Sequence, residues 1–182
     1  MTLLLLGLLL WYAAHFFKRL APNRRAAMGD KGRGPVALTI LAGVVLMVIG
    51  YRMSEYTHLW DRAGWATPVN NTLMIFALYF TSPGPSKGAL FYKMRHPMLT
   101  GFMLWVISHL LVNGDLTSLV LFGGLGLWAL LEIIVINRAE PSFSPNPKGS
   151  IAKDGMFFAI SILLVGVIGY IHTFFGLTPF GG

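Results

Sequence analysis

The feature that most constrains this chain is a repeated apolar run. Residues 2–17, 36–51, 68–80, 97–112, 116–136 and 156–175 are nearly free of charge, and basic, Pro/Gly-rich or turn-forming segments separate them. In lipid every backbone N–H and C=O must be satisfied within the protein, so such runs are expected as helices. Most hold about 16–21 residues, near the roughly 20 that a 30 Å hydrocarbon core requires. Composition closes the soluble alternative: 55% of the residues are hydrophobic and only 12% charged, about half the charged share of an ordinary soluble domain. Too little polar surface remains to cover a water-soluble fold. The first run has no basic segment before it and no small-residue cleavage site after it, so it reads as a retained helix. The expectation is an all-α fold: one membrane domain over residues 1–182, a bundle of six transmembrane helices.

Charge placement orients those helices. Lys18, Arg19, Arg24, Arg25, Lys31, Arg33, Lys87, Lys93, Arg95, Arg138, Lys148 and Lys153 fall on loops 1, 3 and 5, whereas only Arg52 and Arg62 fall on the opposite side. Basic loops stay in the cytoplasm, so both termini are expected outside it. The net charge of +7 is then a topology device and a surface for the lipid bilayer, not a nucleic-acid footprint. Asn113-Gly114-Asp115 leaves room only for a tight turn between two runs, with Asp115 suited to cap the helix that follows.

Polar residues inside the runs need a reason, because an ionisable group there is costly. They are His15, His109, Glu132 and His172. The chain has no Cys, which removes disulfides, thiolate ligands and a cysteine nucleophile, and no paired carboxylate or Ser/His/Asp pattern supports a hydrolase. Gly123-Gly124-x-Gly126 lies within a run, so it is packing glycine and not a dinucleotide fingerprint. Three uses of such histidines stand: metal ligand, proton relay and helix-to-helix hydrogen bond. A neutral imidazole binds haem iron without burying a charge, and it also serves as a helix-to-helix hydrogen bond. Glu132 reads as one half of an ion pair with Arg95 or Arg138. Arg95-His96-Pro97 starts the fourth helix, where a cation and an imidazole suit either a topology anchor or an anionic group such as a propionate or phosphate.

The string Arg95-His96-Pro97-Met98-Leu99, followed by Ser108-His109-Leu110-Leu111-Val112-Asn113-Gly114-Asp115-Leu116, resembles the NnrU family. The opening helix with His15 before Leu20-Ala21-Pro22, and the ending with His172 before Gly176-Leu177-Thr178-Pro179, are similar to it too. The resemblance implies a bacterial inner-membrane protein linked to denitrification and nitric oxide metabolism. It also implies kinship with the plant 15-cis-zeta-carotene isomerase, a haem b enzyme in which a first-helix and a fourth-helix histidine matter; by motif these are His15 and His109. That isomerase has a cysteine three residues before the fourth-helix histidine, where this chain has Val106. An Arg-His-Pro helix start also resembles the isoprenylcysteine-type membrane methyltransferases, but their paired Glu does not follow here.

Depth adds a second pairing. At 1.5 Å per residue, His109 and His172 lie about 5 and 6 Å from the outer ends of their runs, and His15 about 18 Å from its own. The expected cofactor is one haem b, ligated by His109 with His15 or His172, while Arg95 and His96 serve its anionic groups or another anion. The expected partners are the bilayer and a lipid-soluble small molecule, such as a polyene for isomerisation, or nitric oxide. The rival class is a non-enzymatic accessory protein of nitrogen-oxide respiration.

Overall fold

The computed structural model describes residues 1–180, and every regular element among them is helical. All six apolar runs become helices: α1 (Thr2–Leu20), α3 (Arg33–Met53), α4 (Ala66–Thr81), α6 (Pro97–Val112), α7 (Leu116–Ala139) and α8 (Ile151–Thr173). Two short helices, α2 (Pro22–Ala27) and α5 (Gly84–Lys87), lie between them. Among the described residues four helices are long and apolar enough to cross a membrane: α1, α3 with the turn before it, α7 and α8. The other two, α4 and α6, have 16 residues each, about 24 Å of helix against a core of about 30 Å. The all-helical membrane class therefore stands, with four candidate spans and two shorter helices where six spans were expected.

The chain divides into two compact units, one of Met1–Leu59 with Asp115–Ala139, the other of Trp60–Gly114 with the chain from Glu140 onward. In the first unit α1 and α3 touch backbone to backbone. A Cβ on Gly50 would collide with the Leu4 nitrogen, and one on Gly7 would stand 2.6 Å from the Gly43 oxygen. Lipid supplies no hydrophobic force between helices, so small residues that admit close packing take its place. Leu4 and Met47 fill the seam and are 0% and 5% exposed.

Polar contacts at successive depths fasten α7 to that pair. The Asp115 carboxylate accepts from the Ser118 N–H at 2.9 Å and from the Ser118 hydroxyl at 2.6 Å, which makes Asp115 the N-cap expected from the sequence. Because the Ser118 hydroxyl donates to Asp115, the Tyr51 hydroxyl donates to Ser118 Oγ at 2.8 Å. About two turns deeper the Tyr12 hydroxyl donates to the Gly124 carbonyl at 2.6 Å.

The second unit packs α4 against α6 and α8. Its two ends are tied by backbone bonds. Trp60 N donates to Gly114 O at 3.1 Å where α4 starts and α6 finishes. Gly149 N donates to Gly88 O at 2.9 Å where α4 finishes and α6 and α8 start. The last helix begins five residues before the sixth apolar run does, because Ser150 caps it through Oγ. Lys153 and Asp154, which read as loop by their charge, thus fall in its first turn.

Candidate functional site

The three histidines of the apolar runs, His15, His109 and His172, share one local arrangement. Each Nδ1 lies against the carbonyl four residues earlier on its own helix: His15 on Trp11 at 2.8 Å, His109 on Trp105 at 2.9 Å, and His172 on Ile168 at 2.7 Å. A carbonyl only accepts, so Nδ1 carries the hydrogen and Nε2 keeps the lone pair. This is the form of imidazole that ligates a metal, its ring held by a hydrogen bond from the other nitrogen.

Their surroundings differ. In the first unit His15 is half-buried between two tryptophans, with ring centroids 4.2 Å from Trp11 and 4.7 Å from Trp128. The tryptophans meet edge to face at 5.1 Å, a favoured aromatic geometry. In the second unit His109 occupies the last turn of α6 and His172 the last turn of α8. His109 packs on Trp105 at 4.8 Å, and His172 lies near it. The structure therefore brings His109 and His172 into one unit at matching depth, while His15 sits in the other unit.

The end of α8 is shaped by a turn that the sequence string Gly176-Leu177 encodes. Leu177 N donates to His172 O at 3.2 Å and Gly176 N to Thr173 O at 3.0 Å, the bond pair of a Schellman motif. Gly176 has φ +75°, which a side chain would oppose. The chain then folds back so that the Phe180 ring covers Gly169. His172 is thereby held from both sides of its own backbone.

Arg95 and His96 stand at the other end of α6 from His109, about 20 Å away along the helix. The Arg95 guanidinium donates to the carbonyls of Glu140 and Pro141, and it lies 5.6 Å from the Phe143 ring centroid. His96 forms the helix N-cap position, and its carbonyl accepts from the Thr100 hydroxyl at 2.9 Å. Glu132 belongs to the first unit, where the cation acting on it is Arg19, in place of the Arg95 or Arg138 expected from sequence distance. Its Oε2 is buried without a hydrogen-bond partner.

One polar centre escaped the sequence reading. Asp154 is only 4% exposed. One of its oxygens accepts from the Tyr79 hydroxyl at 2.5 Å, and the other from Ala89 N at 2.6 Å and Leu90 N at 3.2 Å. A Cβ on Gly88 would collide with this carboxylate, so glycine is required there for the loop to reach it. Two signals in the sequence pointed this way: an acid in the turn after Ser150, and a tyrosine near the end of α4.

Among the described residues no three His, Asp or Glu side chains gather into a metal-holding group. A metal held by three such ligands finds no place there. Haem needs only one or two protein ligands, and the tautomer of His15, His109 and His172 suits that role.

A search of curated proteins and a search of solved structures both return no match. The family model described as NnrU protein matches residues 3–179, nearly the whole chain, and the chain belongs to the NnrU family.

Proposed function

We propose that this NnrU-type protein binds haem b in a bacterial inner membrane, through His109 with His172 as its partner. The observation that carries the reading is their juxtaposition. Two imidazoles stand near each other in the last turns of α6 and α8, each with Nδ1 anchored on its own helix. His15, the partner suggested by family resemblance, remains the competing second ligand. Haem so held would supply an iron able to take up nitric oxide or to change oxidation state beside a lipid-soluble polyene, in keeping with a link to denitrification or with isomerase chemistry. The protein's own part is to fix both rings, through the Trp105 and Ile168 carbonyls and the turn after His172. Arg95 and His96 serve an anionic partner at the opposite end of α6 and are separate from iron ligation.

The reading includes six crossings with both termini periplasmic. The ties at the two ends of the second unit support it, since α4 runs from the Trp60–Gly114 end to the Gly88–Gly149 end and α6 returns from the second to the first. Arg95 on the Glu140 carbonyl places loop 3 beside loop 5, as alternate crossing requires. Reporter fusions at Gly29 and at the C-terminus should then give opposite signals; equal signals remove this topology.

The test of the cofactor is the visible spectrum of the purified protein. Wild type should show a Soret band that His109→Ala abolishes or shifts to a five-coordinate form, and His172→Ala should remove low-spin character while His15→Ala does not. The reverse result for the last two assigns His15. A full, unshifted Soret band in His109→Ala refutes the site. A colourless protein leaves the histidines as helix-packing groups and supports the accessory role.

A further inference from the structure

The elbow after α1 forms a second site unrelated to the histidines. The helix ends at Leu20, Ala21 turns the chain (φ −134°, ψ 58°), and α2 follows from Pro22. The turn folds Arg25 back toward the basic last turn of α1, where Lys18 and Arg19 stand. Between them lies a concavity of about 490 Å³ lined by Lys18, Arg19, Pro22, Arg25 and Ala26. Its lining contains three cations and no carboxylate.

Lys18 and Arg19 at a helix C-terminus would be favourable by themselves, and basic residues at the end of a span serve topology. Neither reason asks for Arg25, whose position is built. Its Nη1 donates to Gly29 O at 2.9 Å, and its guanidinium lies over Gly32. One of five N–H donors is thereby used to hold the planar group in place, and a rigid, planar cation is the residue suited to phosphate oxygens. The concavity sits at the end of an apolar helix long enough to cross a membrane, and the end of a spanning helix is where the headgroup region begins. We infer that Lys18, Arg19 and Arg25 form a phosphate site occupied by the headgroup of an anionic phospholipid.

The experiment is native mass spectrometry of the full chain in detergent, delipidated and then re-supplied with phosphatidylglycerol, cardiolipin or phosphatidylcholine. Wild type should retain the anionic lipids and not phosphatidylcholine. Lys18→Gln with Arg25→Gln should weaken retention roughly twenty-five-fold, since each cation near a lipid phosphate contributes about a fivefold factor. Arg25→Lys with Lys18→Arg should retain lipid, which separates the site from misfolding. Lys148→Gln with Lys153→Gln removes the same charge from another basic loop and should leave retention unchanged. Equal loss in the two glutamine pairs, or loss in neither, overturns the site. Inorganic phosphate raising the unfolding temperature as much as the anionic lipids do would overturn the lipid as its source.

Discussion

The two units share close packing at glycines and differ in the length of the helices that meet there. In the first, α1 and α3 are long, apolar and joined at glycines, so the seam is backbone against backbone with Leu4 and Met47 between. In the second, α4 and α6 have 16 residues each and also meet at a glycine, since a Cβ on Gly101 would stand 2.6 Å from the Ala77 oxygen; polar ties at the helix ends add to that contact, Trp60 to Gly114 at one end, Gly88 to Gly149 and the Asp154 centre at the other. Long helices in lipid can rely on van der Waals contact along their length. Short ones have less length to pack and gain from ends that are fixed by hydrogen bonds. The histidines follow the same division. His15 is wedged between two tryptophans, whereas His109 and His172 stand at helix ends whose backbones are tied down.

The sharpest way to break the contrast is Gly50→Leu. A side chain there meets the backbone of Leu4, which cannot yield as a flexible side chain would. We expect loss of the α1–α3 seam, a cost above the usual range of about 1–3 kcal/mol for overpacking, and no folded protein by size-exclusion chromatography in detergent. A folded Gly50→Leu protein would show that the seam is not the foundation of the first unit.

The matching test of the second unit is Asp154→Ala. It strands the Tyr79 hydroxyl and the N–H groups of Ala89 and Leu90. The expected cost is about 3 kcal/mol, as for removing one partner of a buried charged hydrogen-bond set. Tyr79→Phe removes a single donor and should cost about half as much, read as the order of thermal unfolding temperatures. If Tyr79→Phe is the more damaging change, the hydroxyl and not the carboxylate is the centre of the lock.

A smaller effect is expected at Asp115. Asp115→Ala deletes the cap of α7 and frees the Ser118 hydroxyl that Tyr51 engages; a helix-cap loss is worth about 1 kcal/mol. Adding Tyr51→Phe should cost less than the sum of the two single changes, because both act through Ser118. Full additivity in that double-mutant cycle would mean that the Tyr51 contact is independent of the cap.

The smallest structural effect is expected at Arg95. Arg95→Ala gives up bonds to two exposed carbonyls and a ring contact, worth about 1 kcal/mol or less. Its informative readout is protease sensitivity of the 140–150 segment, which should rise while helix content by circular dichroism stays unchanged. An unchanged cleavage pattern would assign Arg95 to topology or to an anion alone.

The helices themselves were legible from the apolar runs, because lipid leaves the backbone no other way to satisfy its hydrogen bonds. Asp115 as a cap was equally legible, since a turn of three residues leaves one position for it. The intramembrane histidines announced themselves by the cost of a polar group in that solvent. Partners were another matter, for they depend on which helix lies beside which. Sequence distance offered Arg95 or Arg138 to Glu132, whereas the packing of α1 on α7 sets Arg19 near it and leaves its Oε2 buried without a hydrogen-bond partner. Two pairings for His109 were open from the sequence; the packing of α4 with α6 and α8 brought His172 near it, and α1 with α7 surrounded His15 by tryptophan. Asp154 shows the division best. Its charge read as loop, and only the approach of Tyr79 and the glycine-bearing turn at Gly88 made burial of a carboxylate affordable. Sequence alone determined that this chain must be helical in a membrane and which side chains are expensive there. Tertiary structure decided who satisfies them, because long-range hydrogen bonds and ring contacts are set by helix packing and leave no periodic trace in the chain.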